Sequence, residues 1–435
     1  MPTHTLLTPT MIAREALRLL KNNLVMGQNV YRAYESEFPG APKKGGTVQI
    51  RKPVKFVATK SRVRTSSSIT EQYITLTVAT QAHVSWEFNA VELTLSIEQY
   101  AERYIRPAAA TLANLVDSDL CSLYKNIWNH VYESTGFVTP HTFMVLGKAM
   151  QKLDEEACPQ GDRTVVFDPA AHWAMANALQ ALYIPSVAEK ALRKGFLGSI
   201  AGADVFMDQN IKTHLTGRWG DSMTATASIS LQCATASGVP SGIVPGASGN
   251  QHIHIHGFHP SSVDQSDQFS EGDHFEIAGV YAVNPMSGES TGALRSFVVT
   301  ASVTGRATDT ASGSANSVVV PIQPDCINTG PYKTVNTVPA TGADVYVYER
   351  GNYQYPQNLC FHKNAFALVM VPLEVPQGAS FSSTVSEDGY SIRVIKDYDI
   401  TNDQEIIRLD ILYGVKTIYP ELAVRISGAK GAVAG

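Results

Sequence analysis

Two runs decide how this chain must fold: TVQIRKPVKFVA at residues 47–58 and QYITLTVATQAHVSWEF at residues 72–88. Both are rich in β-branched and aromatic residues and read as strands. Gly45-Gly46 breaks the chain before the first run, and the link TKSRVRTSSSITE (59–71) is polar and carries no tight-turn dipeptide. The pattern predicts a long two-stranded projection with a wide tip. A hairpin of that kind is marginal in water, because it has no face to bury. It needs another subunit to lie on.

Charge sharpens this expectation. Between Glu37 and Glu71 there are eight basic residues and no acid. Residues 1–65 carry twelve Lys/Arg against three acids (Glu15, Glu35, Glu37), a local balance of +9 in a chain whose net charge is −5. The rest of the chain is therefore acidic. One reading is nucleic-acid contact through Arg51, Lys52, Lys55, Lys60, Arg62 and Arg64. That contact would be weak and salt-sensitive, since Phe56 alone offers a stacking surface there. The other is self-complementarity, in which the basic hairpin of one copy reaches across an acidic neighbour through those same six residues. Only the second explains why the basic segment is also the one unable to fold alone.

Upstream, TMIAREALRLLKNNLVM (10–26) has helical periodicity. Ile12, Ala16, Leu19, Leu20 and Leu24 share one face, and Arg14, Arg18 and Lys21 lie towards the other. Thr8 or Thr10 can supply the N-cap oxygen. The apolar stripe fits either the chain's own core or a partner.

Downstream, residues 94–128 form the longest helical pattern, with Leu112, Val116, Leu120, Leu123 and Ile127 at three-four spacing. Pro107 sits inside it, so a kink or break is expected near Arg103–Arg106. Residues 140–215 alternate helix and strand: a helix from Thr139-Pro140 to Leu153, a short buried strand RTVVFD (163–168), a helix PAAHWAMANALQAL (169–182) and a strand in AGADVFMDQN (201–210). The composition then shifts. From Ser222 to Val263 there is no Asp, Glu, Lys or Arg, and no lysine occurs between Lys212 and Lys333. Short alternating runs such as HFEIAGVYAV (274–283), RSFVVTASVTG (295–305) and DVYVYER (344–350) predict an inserted all-β module, a small barrel, at about 216–350. Mixed character returns with NAFALVMVPLEVP (364–376). The chain ends in the alternating strands YSIRVIKDYDI, EIIRLDILYGVKTIYP and LAVRIS, before GAKGAVAG (428–435).

Composition bounds the class. The chain has 435 residues, 44% of them hydrophobic and only 17% charged. That excludes a disordered chain and favours surfaces buried against other copies. The five Cys are scattered without a CxxC pair, so neither a disulfide framework nor a zinc knuckle is expected. No secretory signal and no membrane-spanning apolar run is read from the sequence.

Catalytic signatures are sparse. There is no phosphate loop, no strand–GxGxxG–helix, no HExxH and no GxSxG. Ser122-Leu-Tyr-Lys125 has the bare SxxK spacing without its companions. His252, His254, His256 and His259 sit at near-alternate positions, and alternation on a strand could converge three imidazoles on a metal. This supports a second reading, a metal-dependent hydrolase using the His252–His259 cluster with His274 as a further candidate ligand. An exposed ribbon with Ile253 and Ile255 inward is the plain alternative. Asp154-Glu155-Glu156 reads as a solvated helix face, and Asp117 and Asp119, two apart on a helix, do not face each other.

The order of these parts resembles the major capsid proteins of tailed phages, the Hong Kong 97 type. The closer resemblance is to coat proteins of short-tailed phages that carry a β-barrel insertion. The residues that carry it are TLLTPTMIAREALRLLKNNLVMGQNVYRAYESEF (5–38), GGTVQIRKPV (45–54) and the charge-poor β insert. The resemblance implies an α+β capsid fold. Its parts would be an N-terminal arm (1–38), an extended loop (39–92), a spine helix (93–130), an apical domain (131–215 and 351–395) interrupted by the insertion (216–350), and peripheral strands with a tail (396–435). It implies a non-enzymatic protein without cofactor. Such a protein self-assembles as hexamers and pentamers with a scaffolding protein and a portal into an icosahedral head around double-stranded DNA. Assembly would take place in the host cytoplasm, and the protein would reside in the virion. The family's scaffolding contact maps on Arg14, Arg18 and Lys21. The family's charged contacts through the insertion have no counterpart in the uncharged 222–263 stretch, where histidine or apolar contacts are the substitute expectation.

Overall fold

The apolar stripe of residues 12–24 finds its partner within the chain. In a computed structural model, the described residues are 9–34, 46–56, 60–63, 71–89, 101–135, 139–180, 198–219, 231–233, 243–245, 251–256, 267–304, 318–376, 378, 381–400 and 404–429. They fall into two units: Met1–Pro53 with Glu71–Cys121 and Phe366–Ile418, and Val54–Thr70 with Ser122–Ala365 and Tyr419–Gly435.

In the first unit, helix α1 (Pro9–Asn23) packs on strands Phe381–Glu387 and Tyr390–Asp399. Ile12, Ala16, Leu17, Leu20 and Leu24 are buried there. The arm is held further along. Helix α2 (Met26–Asn29) places Gly27, whose carbonyl accepts from Tyr390 Oη at 2.9 Å. The Arg32 guanidinium lies 4.6 Å from the Tyr390 ring, and Tyr31 pairs through its backbone with Phe366 and Leu368. Of the two homes the sequence allowed for this stripe, the chain's own sheet is the one observed.

That sheet is built around the long strand Gln404–Thr417. Strand Thr80–Asn89 pairs with one edge, with Val84 opposite Leu409, and strands Tyr390–Asp399 and Phe366–Met370 share the other. Here the structure corrects the first expectation. The run 72–88 is not one strand of a projection: Tyr73–Thr77 pairs with Thr47–Arg51 in a short hairpin, while Thr80–Asn89 joins the body sheet. The reason is packing. Ala82, Val84 and Trp86 alternate inward with exposed His83, Ser85 and Glu87, so this half of the run has an apolar face to bury.

The hairpin base passes close over Gly414. A Cβ there would fall inside contact distance of the Thr77 carbonyl oxygen, with the Thr77 carbonyl carbon and Val78 Cα both at 3.1 Å. Backbone cannot step aside as a flexible side chain does. Gly414→Ala is therefore expected to displace residues 76–78 and to cost about 1–3 kcal/mol. Urea unfolding, together with faster amide exchange at Lys52 and Val78, would register it.

The expected break in the long helix is present. A π-helical turn, Ala101–Ile105, runs into helix α3 (Arg106–Ser122) with Pro107 in its first turn. Proline offers no amide to the preceding turn, which accounts for the change of winding. Asp117 and Asp119 diverge as read: Asp117 accepts from the Val25 and Gly27 amides, and Asp119 accepts from Tyr413 Oη.

The second unit holds a six-stranded mixed sheet in the order 130–135, 423–429, 358–362, 163–167, 203–207, 199–200. Strand Arg163–Phe167 is buried along its whole length. Helices α4 (Phe143–Glu155) and α5 (Pro169–Gln180) cover it through Leu146, Ala149, Leu153, Ala171 and Met175. Helix α4 begins three residues after Pro140. The buried Glu133 carboxylate accepts from the His141 and Thr142 amides at 3.0 Å and so caps the entry to the helix.

The inserted segment forms a closed sheet. Its strands run 243–245, 251–256, 318–323, 290–299, 274–283, 345–346, and 232–233 pairs back on 251–256. Backbone bonds from Val345 N to Leu231 O (2.8 Å) and from Cys233 N to Ala343 O (2.9 Å) complete the circuit. Closure removes free sheet edges, as the small barrel expected from the alternating runs requires. Its core is drawn from residues 219–347, with Trp219, Phe269, Phe275 and Phe297 in successive ring contacts of 5.4 to 5.9 Å.

The late strands divide differently from the reading at 351–395 and 396–435. Asn358–His362 and Ala423–Ala429 join the six-stranded sheet, whereas 366–418 belong to the unit with the arm and long helix. Alternation shows which face of a strand is buried, not which sheet receives it. No helix among the described residues is long and apolar enough to cross a membrane.

Candidate assembly surfaces and the insertion seam

The basic segment is displayed rather than packed. Arg51, Lys55, Phe56, Lys60, Arg62 and Val63 are exposed, Phe56 to 70% and Val63 to 76%. Burying Phe56 and Val63 at an interface would be favourable, whereas the four cations are favoured in water or beside an acid. Arg51 faces Glu71 at 3.6 Å across the hairpin, a solvated pair of little energetic weight. Lys52 is half-buried and its amide donates to Gln72 O. Arg64 lies outside the described residues.

On the arm, Arg14 and Arg18 are exposed and Lys21 is half-buried. Arg18 pairs with Glu15 one turn away, and Lys21 reaches Asp388 in the turn between strands 381–387 and 390–399. Arg14 therefore projects as the least encumbered cation of the three.

The histidine run separates. Ile253 and Ile255 are buried in the barrel core as read, but His254 is buried too, while His252 is half-buried. His259 lies outside the described residues. Among the described residues no three His, Cys, Asp or Glu side chains converge in a metal-binding arrangement. His274 turns away from this strand altogether, to the seam between the barrel and the six-stranded sheet.

That seam holds charged groups which sequence reading missed. Arg425, on the last strand, is fully buried. Its Nε donates to Gln357 Oε1 at 2.9 Å, its Nη1 donates to Gly272 O at 2.6 Å, and its guanidinium lies 4.8 Å from the Tyr124 ring. Burial lowers its pKa to about 10, which leaves it charged at neutral pH. Around it, Tyr124 Oη, His214 and Asp273 form a chain with contacts of 3.0 and 2.8 Å, and Ser427 Oγ donates to Glu349 at 2.9 Å. His130 Nε2 is 2.7 Å from Ser427 Oγ, and its ring stacks on that of His274 at 4.5 Å. Burial, seconded by the Arg425 charge, holds both of these imidazoles well below the usual histidine pKa.

The outer part of the seam is ionic as well. Lys152 on α4 reaches Ser296 at 2.9 Å and Glu276 at 3.7 Å, and Glu156 pairs with Arg295 of the barrel. Asp154 meets Arg163 at 2.6 Å. The run 154–156, read as a solvated face, is thus ion-paired at two of its three positions. A cleft of about 270 Å³ opens beside these residues, lined in part by His130, Tyr132, Lys148, Lys152 and Glu276. The one available signal was the lone charge in LAVRIS: an arginine amid apolar neighbours in a strand has to be paired.

This arrangement binds an all-β insertion to a mixed sheet. Over residues 1–428 the sequence matches the family described as P22 coat protein - gene protein 5. The chain belongs to this family. It is a phage coat protein, a structural component of the virion, and not an enzyme. The hydrolase reading is thereby overturned. Solved structures similar to this coat protein include one from Mycobacterium phage Che8, at 14% identity and a TM-score of 0.44, covering 93% of this chain and 90% of that one. The capsid of cyanophage P-SCSP1u is similar at 10% identity and a TM-score of 0.43, covering 89% and 85%. The capsid of Ralstonia phage GP4 is similar at 7% identity and a TM-score of 0.38, with the same 89% and 85%. A search of curated proteins found no match.

Proposed function

We propose that this coat protein assembles with a scaffolding protein and a portal into an icosahedral head enclosing double-stranded DNA. Copies would be joined through the basic extended loop. The observation that carries the reading is the exposure of Lys55, Phe56, Lys60 and Arg62 on a segment with a two-stranded base of five residues each. A charged, aromatic surface on so slight a support is stabilised by an acidic neighbour more than by water. Residues 1–38 act as the arm, α3 as the spine, and the six-stranded sheet as the apical part carrying the barrel. Strands 366–418 act as the peripheral part. Arg14, with Arg18 and Lys21, is the scaffolding contact, and DNA touches the shell only weakly.

Replacing Arg62 and Arg64 together by Glu tests this. The subunit should remain soluble and folded by circular dichroism, since no buried contact of Arg62 is removed. Co-expression with the scaffolding protein should then give no closed particles by negative-stain microscopy. Particles in undiminished number would overturn the assignment, and loss of soluble monomer would make the segment an intramolecular element.

A further inference from the structure

The seam between barrel and sheet contains a titratable group whose charged form would lack a partner. His274 Nε2 lies 3.0 Å from Ile127 O and 3.2 Å from Arg425 Nη1. Its Nδ1 is buried without a hydrogen-bond partner. An imidazolium has two N–H donors and no acceptor. In the closed seam one of them would meet the Ile127 carbonyl in company with a guanidinium, and the other would meet nothing.

The surrounding groups supply no relief. From the 123–126 turn come Tyr124 and Lys125, the latter already paired with Glu271 at 2.9 Å. From strand 213–215 comes His214, held by Asp273 at 2.8 Å, so a proton gained there has a carboxylate of its own. From strand 130–135 comes His130, stacked on His274 and 3.6 Å from Glu349 Oε1. From strand 274–283 comes Glu276, shared by Ser296, Tyr348 and Lys152. From strand 423–429 comes Arg425, a like charge. Asp273 and Glu349 stand beside Arg425 and His214, and no carboxylate is among the hydrogen-bond partners of His274.

We propose that this seam is an acid-opened latch: protonation of His274 requires the barrel strand 274–283 to part from Arg425 and from the 123–126 turn. The proton arrives from solvent by way of the cleft of about 270 Å³, one wall of which is His130. The barrel core is built from apolar side chains such as Ile253, Ile255, Phe275 and Phe297, and it stays closed as the seam opens. The six-stranded sheet keeps its apolar face under α4 and α5.

The sign follows from linkage. Burial and Arg425 lower the His274 pKa in the closed form, so the closed seam is favoured above pH 6.5, the ordinary value, and loses ground as the pH falls below it. One imidazole released to its ordinary pKa favours opening by about thirtyfold between pH 7.5 and pH 5.

Hydrogen exchange on the full-length chain tests this, with rates corrected for intrinsic pH dependence. Amides of 274–276 and 423–427 should lose at least about thirtyfold protection over that range, while those of 390–399 and 404–417 keep theirs. The variant His274→Gln, which retains a donor for Ile127 O, should remove the His274 share of that loss, about thirtyfold, and leave protection at pH 7.5 unchanged. An undiminished acid response in that variant would overturn the proposal. So would simultaneous loss of protection in all four segments. If the variant does not fold, the wild-type chain labelled at histidine decides by NMR. A His274 resonance titrating near pH 6.5 while the seam amides stay protected would sink the latch, whereas one that titrates only as protection is lost supports it.

Discussion

Arg425→Met is expected to destabilise the chain by about 3–5 kcal/mol, the usual cost of leaving buried partners of an ion without it. The guanidinium is fully buried and fixed by three elements at once: Gln357, the Gly272 carbonyl and the Tyr124 ring. Asp273 and Glu349 are 0% and 2% exposed, and Arg425 is the cation whose charge acts on both. A methionine fills much of the volume but satisfies neither the carbonyl nor the two carboxylates. A domain is stable by about 5–15 kcal/mol in all, so the loss should leave much of the protein in inclusion bodies at 37 °C. Arg425→Lys should fall between the two, because one ammonium can reach one acceptor and cannot stack as a planar fork does. Urea unfolding of the soluble fraction would measure both variants. A midpoint for Arg425→Met equal to that of the parent would show that Arg425 is not the keystone of the seam.

The same residue marks the boundary of what the sequence disclosed. Elements with a strong apolar period were legible: Ile12, Ala16, Leu19, Leu20 and Leu24 are all buried, and the run 163–167 is an interior strand. The helix disturbance at Pro107 and the all-β character of the inserted segment were legible for equally local reasons, a missing amide and a change of composition. The division of 72–88 was not, since a strand of one hairpin and a strand of a body sheet carry the same alternation. Nor was the allocation of 366–395, which depends on contacts hundreds of residues away. The seam was the least legible of all. His130, His214, Asp273, His274, Glu349 and Arg425 come from five places in the chain, and apart from Arg425 each taken alone resembles a solvated residue. What gathers them is the return of the final strand beside 130–135, a pairing no local pattern announces.

Asp117→Ala is expected to release the arm from the long helix. The carboxylate is 1% exposed, and its two oxygens accept from the Val25 and Gly27 amides at 2.7 and 2.8 Å. Hydrogen bonds to an ionised group contribute about 1.5–3 kcal/mol each, and two buried amides left without acceptors carry the desolvation penalty in full. The expected loss is therefore about 2–4 kcal/mol, with the lower figure applying where water enters the gap. The effect should be local in origin. Gly27 sits so near that a Cβ would lie 3.1 Å from Leu24 Cδ2 and 3.4 Å from the carboxylate, and Tyr390 Oη still holds the Gly27 carbonyl from the other side. With the amides freed, the chain from 24 to 32 loses its anchor to α3 and α1 is kept only by its apolar stripe. Trypsin should then cut after Arg18, Lys21 or Arg32 at least tenfold faster than in the parent, the factor that about 1.4 kcal/mol of local opening would give where cleavage follows the open population. Asp117→Asn keeps one acceptor and turns an amide NH₂ towards the other backbone N–H, so its cleavage rate should lie between the two. Equal rates in all three proteins would mean that the arm is held by its apolar face alone.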